Sequence, residues 1–390
     1  MHQTNLDSHD AAYMSPQAAH PDDAKSVTRN IRNLAMSAPP RTKYMYCNLM
    51  YTAASYLVEV ISGMAFADYL EAKFFKPLGM TSTNLQPTRA KERGLGDRIA
   101  TGYFWIEDTN KYEAIEAWDC PEGQGAGSII TTAEDYLKWV RALMNREGPI
   151  TEDVYKGLVK MRIIAEQDPH DKSLATNCSP LAYAAGLEVQ WYRGTLIISH
   201  DGSIAGYGST HFFLPSLKFG GVILGNGSGA WSVAATLSRE LIDEVMQVPV
   251  AERSPWAEHQ KSLVDAEEPK EELLELRKKQ GLTGEEAEKQ VLPLDAYTGT
   301  YTNAGYHEMT VTVKDGELFV DATDRSSGGF ILRFEHVCEQ TKYIAHLVSG
   351  FEGGDELLAA KFQLEDDRAV KMGIHLEVEL EELIWFSKVS

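Results

Sequence analysis

A period of two in hydrophobicity between Tyr183 and Asn226 limits the possible folds most, because only β-strands place every second side chain on one face. The alternation predicts strands at 186–192, 195–200, 209–214 and 220–226. Arg193-Gly194 and Pro215–Lys218 separate two pairs of these strands by only a few residues. Connections this short join antiparallel neighbours, so the segment is expected to form an antiparallel meander.

Helical patterns flank this meander. A mostly apolar run predicts a buried helix from Asn48 to Gly63, with Asn48 as its N-cap and Gly63 as the residue that ends it. Further helices are expected at 24–36, 65–78, 131–144 and 231–247, whereas 84–130 is expected to be irregular. These elements predict an α/β (α+β) domain in which an antiparallel sheet is flanked by helices.

The last quarter of the chain has a different composition. Residues 291–390 are dense in β-type residues and turn signals, which predicts a small all-β barrel or sandwich. Residues 251–290 are rich in Glu and Lys, as is typical of a solvated linker helix. The chain is therefore expected to divide into a large domain at 1–250, a charged helical linker at 251–290 and a β-barrel-like domain at 291–390.

The charge balance argues against two kinds of partner. Acidic residues outnumber Lys and Arg by 57 to 37, which gives a formal net charge of −20. A strongly acidic surface repels nucleic-acid phosphates and anionic lipids, so neither nucleic acid nor a membrane surface is expected to bind. No run approaches the roughly 18 apolar residues of a transmembrane helix.

Cysteine usage favours a reducing compartment. Cys47, Cys120, Cys178 and Cys338 are widely spaced and form neither a C-x-x-C pair nor a zinc-binding pattern. They are expected to be reduced, mostly buried thiols of a cytoplasmic protein. The first residues also lack the basic and apolar segments of a signal peptide.

One candidate site lies just before the buried helix. In an extended loop, residues two apart point the same way, so Tyr46 and Asn48 would face one cavity. A tyrosine can shuttle protons when nearby cations lower its pKa. The alternative interpretation is a packed tyrosine and a helix-capping asparagine.

A second candidate is His200-Asp201-Gly202, at the end of a strand and before a glycine-rich turn. A histidine beside a glycine at a strand end can present a side chain and an open backbone edge to a ligand. The alternative is a hairpin corner with a surface histidine. The glycine runs at 123–128 and 225–228 are interpreted as turns, since no Gly-Lys-Ser/Thr follows either of them.

These pieces together resemble one family. Tyr46-Cys47-Asn48-Leu49, Phe75–Met80, Thr131–Asp135 and His200–Ser203 with Gly206-Tyr207 occur in the order found in the β-lactamase-related serine hydrolases. That group includes class C β-lactamases, D-alanyl-D-alanine carboxypeptidase-like proteins, esterases and fungal acyltransferases. The likeness runs from about residue 2 to 247, and Leu294–Tyr301 is similar to the start of a β-barrel domain often appended to the family.

The resemblance implies roles for four residues. Tyr46 would shuttle protons, Asn48 would hold the substrate amide or the lysine, and His200 and Gly202 would line the strand edge that binds substrate. Histidine at position 200, where lysine is usual, favours the esterase and peptidase branches over true β-lactamases. A small ester or amide substrate is expected, processed through an acyl-enzyme, with no cofactor and no metal.

The family's nucleophile has no counterpart in the sequence. No serine is followed by lysine three residues later, and no Gly-x-Ser-x-Gly elbow occurs. His2–Leu6 resembles the segment that follows the nucleophile helix, although Asn5 replaces the usual glycine. The chain is therefore expected to be an N-terminally truncated member whose own activity is uncertain. Absence of the family's first strands would leave an unpaired sheet edge, for which self-association is expected.

Two alternatives remain open. The chain could be a non-catalytic relative that binds a ligand or a partner protein through the old cleft. Alternatively, Cys47 could act as the nucleophile, although the family tolerates varied residues at that position and a buried, inert thiol is favoured.

Overall fold

The computed structural model describes residues 2–106, 109–165, 176–264, 269–282, 287–351 and 353–389. These residues divide into two compact units, one of Met1–Asn5 with Ala38–Asp265 and one of Leu6–Ser37 with Ala266–Ser390. The α-helices in chain order are α1 (Ala24–Asn30), α2 (Leu49–Ser62), α3 (Phe66–Leu70), α4 (Lys76–Leu78), α5 (Pro87–Glu92), α6 (Ala133–Asn145), α7 (Glu152–Val159), α8 (Ala230–Val245), α9 (Trp256–Val264) and α10 (Pro269–Lys279).

The strands of the first unit are β1 (Asn84–Leu85), β2 (Gly102–Ile106), β3 (Lys111–Ile115), β4 (Ile129–Ile130), β5 (Ile163–Ile164), β6 (Ala182–Tyr183), β7 (Glu188–Tyr192), β8 (Thr195–Ile204), β9 (Tyr207–Leu214) and β10 (Phe219–Gly225). The strands of the second unit are β11 (Gly299–Asn303), β12 (His307–Lys314), β13 (Glu317–Ala322), β14 (Phe330–Cys338), β15 (Lys342–Ser349), β16 (Gly353–Glu365), β17 (Arg368–Ile374) and β18 (Ile384–Lys388).

The first unit is built on an antiparallel sheet with the order β10-β9-β8-β7-β6-β5. Neighbouring residues of β8 face opposite sides: Ile198 joins the core that contains α6, and Ile197 joins the core that contains Ile242 of α8. Helices therefore cover both faces, which explains why the middle of β8 (Leu196-Ile197-Ile198) is continuously apolar rather than alternating. The predicted α/β (α+β) fold, with its antiparallel sheet flanked by helices, is confirmed.

Local details differ from the sequence-based prediction. Strand β8 continues to Ile204, and strand β9 already begins at Tyr207. Both strands are therefore longer than expected. The segment 84–130, expected to be irregular, contains the paired strands β2 and β3 and the short pair of β1 and β4. In the first of these pairs Phe104 is buried and its neighbours are exposed, an alternation too short to stand out among glycines and aromatic residues.

Helix α2 begins and ends close to the predicted bounds. Gly63 adopts φ 67°, the left-handed conformation that favours glycine at a helix end. Asn48 lies at the N-terminal boundary, but its side chain makes no capping hydrogen bond and its backbone is already helical. The capping role expected for Asn48 is therefore wrong, and its side chain is free of that task.

The segment 251–290 does not form one solvated linker helix. Trp256 of α9 is 5% exposed and packs in the first unit, where its indole N–H donates to Asp243 (2.7 Å). Leu273 and Leu276 of α10 pack against a cluster in the second unit that includes Val337. Few apolar residues among many charges carry this packing, which explains why composition suggested a solvated segment.

The second unit contains a closed barrel, in which β11–β18 pair in sequence and β18 pairs with β11. Alternate residues point inward, and rings such as Tyr301, Tyr343 and Phe362 are at most 1% exposed. The β-barrel-like domain predicted from the turn signals is confirmed as a barrel of eight strands.

Residues 6–37, which the sequence analysis placed in the first domain, belong to the second unit. Met14 forms a β-bridge with Arg325, and Asn30 donates its amide to the carbonyl of Gly305 (2.8 Å). The remaining boundaries, near 250 and 290, stay predictions.

Among the described residues, no single helix combines the length and apolar character needed to cross a membrane. Within that same part of the chain, α2 together with Phe66–Leu78 is the one pair of helices that reaches those criteria, across a bend of 78°.

Candidate functional site

The first unit contains a pocket of about 260 Å³ between α2, α6 and the strands β6, β8 and β9. Its described lining consists mainly of aromatic and small residues together with two histidines: Tyr46, Asn48, Tyr51, Gly125, Ala126, Tyr136, Trp139, Leu143, Leu158, Tyr183, Ala185, Gly186, Leu187, His200, Asp201, Ser209 and His211. A concave site with a few polar groups on an apolar wall is typical of small-molecule binding.

The pocket brings together three of the four residues singled out from sequence. Tyr46, Asn48 and His200 all line it, and the rings of Tyr46 and His200 lie 6.4 Å apart. Gly202 lies two residues further along β8 and is not among the described lining residues. The catalytic and binding roles given to these residues stay predictions.

His2 packs against the ring of Tyr46. The two rings stack with centroids 4.0 Å apart, and the Nδ1 atom of His2 accepts a hydrogen bond from the backbone N–H of Cys47 (2.9 Å). His2 is 0% exposed, and burial lowers its pKa to about 3. The neutral ring therefore carries its proton on Nε2, which is buried without a hydrogen-bond partner among the described residues.

His200 is held at both ring nitrogens. Its Nε2 atom lies 2.9 Å from the hydroxyl of Tyr183, and its Nδ1 atom lies 2.6 Å from the carbonyl oxygen of Asp201. The hydroxyl of Tyr183 lies 3.4 Å from that of Tyr51. Strand pairing explains the contact, because Tyr183 pairs with Glu188, which pairs with Ser199, the neighbour of His200.

A second histidine–tyrosine pair lies on the other side of the pocket. The hydroxyl of Tyr136 on α6 is 2.8 Å from Nδ1 of His211, which pairs across the strands with His200. Burial lowers the pKa of His211 to about 3 and raises that of Tyr136 to about 12. Both groups are therefore neutral at physiological pH and contribute a fixed polar contact.

Desolvation raises the pKa of Asp201, the carboxyl group that lines the pocket. Asp201 lines it and accepts a hydrogen bond from the hydroxyl of Thr210, whereas no lysine or arginine is among the described lining residues. Nearby, desolvation and the carboxylate of Asp201 raise the pKa of Glu188. Desolvation also raises the pKa of Tyr183 and of Tyr51. The lining thus supplies no lysine or arginine that would lower the pKa of Tyr46.

A glycine allows the loop that forms one wall of the pocket to lie directly against α2. A Cβ atom on Gly125 would lie 2.0 Å from the carbonyl oxygen of Tyr51 on α2, so the loop can take its place only with glycine there. The run 123–128, interpreted as a turn from sequence, therefore also forms a wall of the pocket through Gly125 and Ala126.

The described lining contains no obvious nucleophile with a base beside it. Ser209 is its single serine, and no lysine accompanies it. Cys47 is 0% exposed, which does not favour the alternative in which its thiol attacks substrate. All four cysteines are free of disulfide bonds.

Sequence reasoning missed His2, Tyr136, Tyr183 and His211 as parts of the site. No local pattern marks them, because each is an isolated aromatic residue on a helix, a strand or a loop. The cross-strand pair of His200 and His211 could have been found from the meander, since strand register brings the two together.

Comparisons with known proteins assign the family. The beta-lactamase family matches residues 2–242, and a domain of unknown function (DUF3471) matches residues 284–388. An unguisins hydrolase from Aspergillus campestris is 32% identical over 394 residues, covering 99% of this chain and 71% of the relative. A D-aminopeptidase from Brucella anthropi is 22% identical over 254 residues, covering 63% of this chain and 44% of the relative.

Among solved structures, the octameric penicillin-binding protein homologue from Pyrococcus abyssi is similar in fold. It gives a TM-score of 0.54 at 16% identity, covering 99% of this chain and 76% of that one. The family match over most of the first unit and the full-length likeness to a hydrolase agree with the motif order and the sheet topology. The chain belongs to the beta-lactamase family and carries a C-terminal DUF3471 domain, which forms the eight-stranded barrel.

Proposed function

We propose that the pocket of the first unit is the acyl-transfer site of a serine hydrolase that cleaves amide bonds. The observation that carries the proposal is the convergence of Tyr46, Asn48 and His200 on one concave site. In this assignment Tyr46 moves protons, Asn48 orients the scissile amide, and His200 holds the substrate at the strand edge with Gly202.

Amide rather than ester chemistry is favoured by the relatives. The chain is similar to an unguisins hydrolase over 99% of its length and to a D-aminopeptidase over 63% of it. The amide side chain of Asn48, free of a capping task, is available to hydrogen-bond a substrate amide. Ester hydrolysis and transfer of the acyl group to another acceptor are the alternatives that product analysis would reveal.

The nucleophile in this proposal is a serine outside these 390 residues. The sequence has no Ser-x-x-Lys, and the described lining has no lysine. Beside Tyr46, the buried Nε2–H of His2 has no partner among the described residues, which marks a place for a further polar group. A serine and lysine brought there would complete the hydroxyl-plus-base pair that acyl transfer needs.

Intact-protein mass spectrometry with an activated acyl ester and a β-lactam tests this proposal. We expect no stoichiometric adduct on the chain alone. A chimera that adds the part of the Aspergillus campestris relative that this chain does not cover should form one adduct per molecule. Tyr46→Phe in the chimera should slow acylation by about 10²- to 10⁴-fold, whereas Tyr112→Phe, on an exposed strand, should not.

The other outcomes are informative. A stoichiometric adduct on the chain alone would overturn the assignment of the nucleophile. A folded chimera that binds amides but is never acylated would overturn the proposed hydrolase activity. It would favour the alternative in which the protein is a non-catalytic relative that binds a ligand in this pocket.

We also propose that the first unit self-associates through the edge strand β10. Among the described strands, β10 pairs only with β9 and therefore presents unpaired backbone groups. Beside it, Val233, Leu237 and Leu241 form an apolar stripe on α8, each at least 42% exposed. Light scattering after size exclusion should give a mass above one chain, and a monodisperse monomer would contradict the proposal.

A further inference from the structure

The hydrogen bond between His2 and the loop of Tyr46 has a fixed direction. A backbone N–H can only donate, so the contact of 2.9 Å from the N–H of Cys47 makes Nδ1 of His2 the acceptor. Burial lowers the pKa of His2 to about 3, so the ring is neutral and able to accept at physiological pH. The bond therefore holds the peptide group that joins Tyr46 to Cys47.

The ring of His2 makes a second contact with the same tyrosine. It stacks on the ring of Tyr46 with centroids 4.0 Å apart and planes inclined by 29°. His2 is 0% exposed, whereas Tyr46 is 44% exposed and lines the pocket. Tyr46 thus rests on a buried aromatic support on one side and borders the pocket on another.

The backbone around His2 is anchored independently of the two rings. The carbonyl of His2 accepts a hydrogen bond from the N–H of Met45 (3.2 Å). Three residues further on, the side-chain amide of Asn5 donates to the carbonyl of Lys43 (3.3 Å). The backbone of Asn5 has φ 58°, a left-handed conformation in which asparagine is enriched. These contacts hold His2 in place without help from the ring of Tyr46.

Packing leaves the ring of His2 one orientation. The centroids of Tyr183 and Tyr51 lie 4.7 and 5.1 Å from its centroid, and that of Tyr44 lies 5.8 Å away. In a close-packed interior, a buried ring can turn only if its neighbours repack. His2 is therefore a rigid support for Tyr46, which is itself partly exposed.

We propose that His2 is a positioning residue for the acyl-transfer site. It acts through Tyr46: the ring of His2 holds the phenol by stacking, and Nδ1 holds the peptide group behind it, so the hydroxyl stays where it can move a proton. Misplacing a catalytic group by about 1 Å can cost on the order of 10² in rate, so this support affects the chemical step. The inference rests on the proposed function, because Tyr46 has a proton to move only in acyl transfer.

Two spectroscopic measurements on the chain alone test the contacts. In two-bond ¹H–¹⁵N correlation spectra of histidine-labelled protein at about pH 7.5, above the ordinary pKa of histidine, His2 should show the Nε2–H form, and His2→Phe assigns its signal. Exchange of the Cys47 amide hydrogen, followed in cysteine-labelled protein, should be about two- to tenfold faster in His2→Phe, which keeps an aromatic ring but has no acceptor. In His2→Asn the side-chain oxygen takes the place of Nδ1, so exchange should be as slow as in the parent.

Acylation of the chimera described above tests the role of these contacts. His2→Ala should lower the acylation rate at saturating ester by about 10- to 100-fold and change the half-saturating concentration by less than about threefold. In the Tyr46→Phe background the same substitution should slow acylation little further, because the group that His2 positions is gone. Gln3→Ala is the matched control: it removes an exposed hydrogen bond of the neighbouring residue, to the carbonyl of Arg162, and should leave the rate unchanged.

Three results would overturn the inference: an Nδ1–H tautomer of His2, an unchanged Cys47 amide in His2→Phe, or full additivity of His2→Ala and Tyr46→Phe. His2→Phe and His2→Asn each keep one of the two contacts and should acylate at rates between those of the parent and His2→Ala, so the test survives if His2→Ala does not fold. A chimera that is never acylated would overturn the proposed hydrolase, and the two spectroscopic measurements would still decide whether His2 holds the loop of Tyr46.

Discussion

Two histidine–tyrosine pairs in this protein have similar geometry and different surroundings. In the pocket, the hydroxyl of Tyr183 lies 2.9 Å from His200, which is only half-buried. In the second unit, the hydroxyl of Tyr306 lies 2.5 Å from Nδ1 of His9, and both residues are at most 2% exposed. The first pair lines the pocket, whereas the second is closed to solvent.

A carboxylate accounts for much of the difference. Glu377 accepts hydrogen bonds from the hydroxyl of Tyr306 (2.8 Å), the backbone N–H of His9 (3.0 Å) and the hydroxyl of Ser8 (3.2 Å). Through these contacts it ties the segment 6–37 to the rest of its unit. The pocket pair has a second hydroxyl, that of Tyr51, in the corresponding place. The comparison indicates that the sealed cluster (Tyr306, His9 and Glu377) stabilises the fold, whereas the open cluster (Tyr183, His200 and Tyr51) borders the pocket.

Replacing Glu377, the carboxylate of the sealed cluster, should have the largest effect on stability. Glu377→Ala leaves the buried donors of Tyr306 and His9 without an acceptor, which is expected to lower the free energy of unfolding by roughly 3–5 kcal/mol. Urea denaturation followed by circular dichroism measures it. Glu379→Ala, two residues away and exposed, is the control. Equal effects of the two substitutions would remove the distinction between sealed and open clusters.

The pH dependence of stability sharpens the same contrast. Burial raises the pKa of Glu377 to about 7, so the folded state holds this proton more tightly than the unfolded chain. The contribution of Glu377 to the free energy of unfolding is complete below about pH 4.5. It is lost as the pH rises towards 7, a change on the order of 3 kcal/mol. Burial lowers the pKa of His9, which acts in the opposite sense: stability is gained as the pH rises towards 6.5.

Denaturation of the parent and of Glu377→Gln between about pH 5 and 8 separates these contributions. The difference in unfolding free energy between the two proteins should shift in favour of the variant as the pH rises. A difference that stays constant over this range would show that Glu377 does not titrate in the folded state.

Replacing the tyrosine of each pair with phenylalanine should have the smallest effects on the free energy of unfolding. Tyr306→Phe leaves buried partners unsatisfied and should cost about 1–3 kcal/mol, whereas Tyr183→Phe should cost about 0.5–1.5 kcal/mol because water can reach His200. Thermal or urea unfolding of the two variants side by side measures both values. A larger loss for Tyr183→Phe would reverse the assignment of structural and substrate-facing roles.

Local periodicity made much of the fold predictable. The meander, the helices beside it and the barrel follow from alternation, apolar spacing and turn residues, which act within short stretches of chain. The pairing of β2 with β3 was not predicted, because five residues on each strand give too short an alternation. Residues 6–37 gave no sign of belonging with the barrel, since isolated residues such as Met14 and Val27 carry that packing.

The candidate site was predictable only where a motif marks it. Tyr46 and Asn48 were expected to face one cavity, and the family resemblance implied that His200 lines the substrate-binding strand edge. The pocket contains all three. Tyr183 could not be expected, because its contact with His200 depends on the pairing of β6 with β7 and of β7 with β8. Such contacts are set by strand register across many residues, which no local sequence pattern records.

The close approach of Gly125 to Tyr51 also limits how this pocket can change in evolution or by engineering. Every other amino acid begins with a Cβ atom, and at position 125 that atom would overlap the backbone of α2. A substitution there would displace the loop before adding any new group to the lining. Variation in substrate preference should therefore accumulate at its neighbour Ala126, which lines the pocket, already carries a Cβ atom and is exposed.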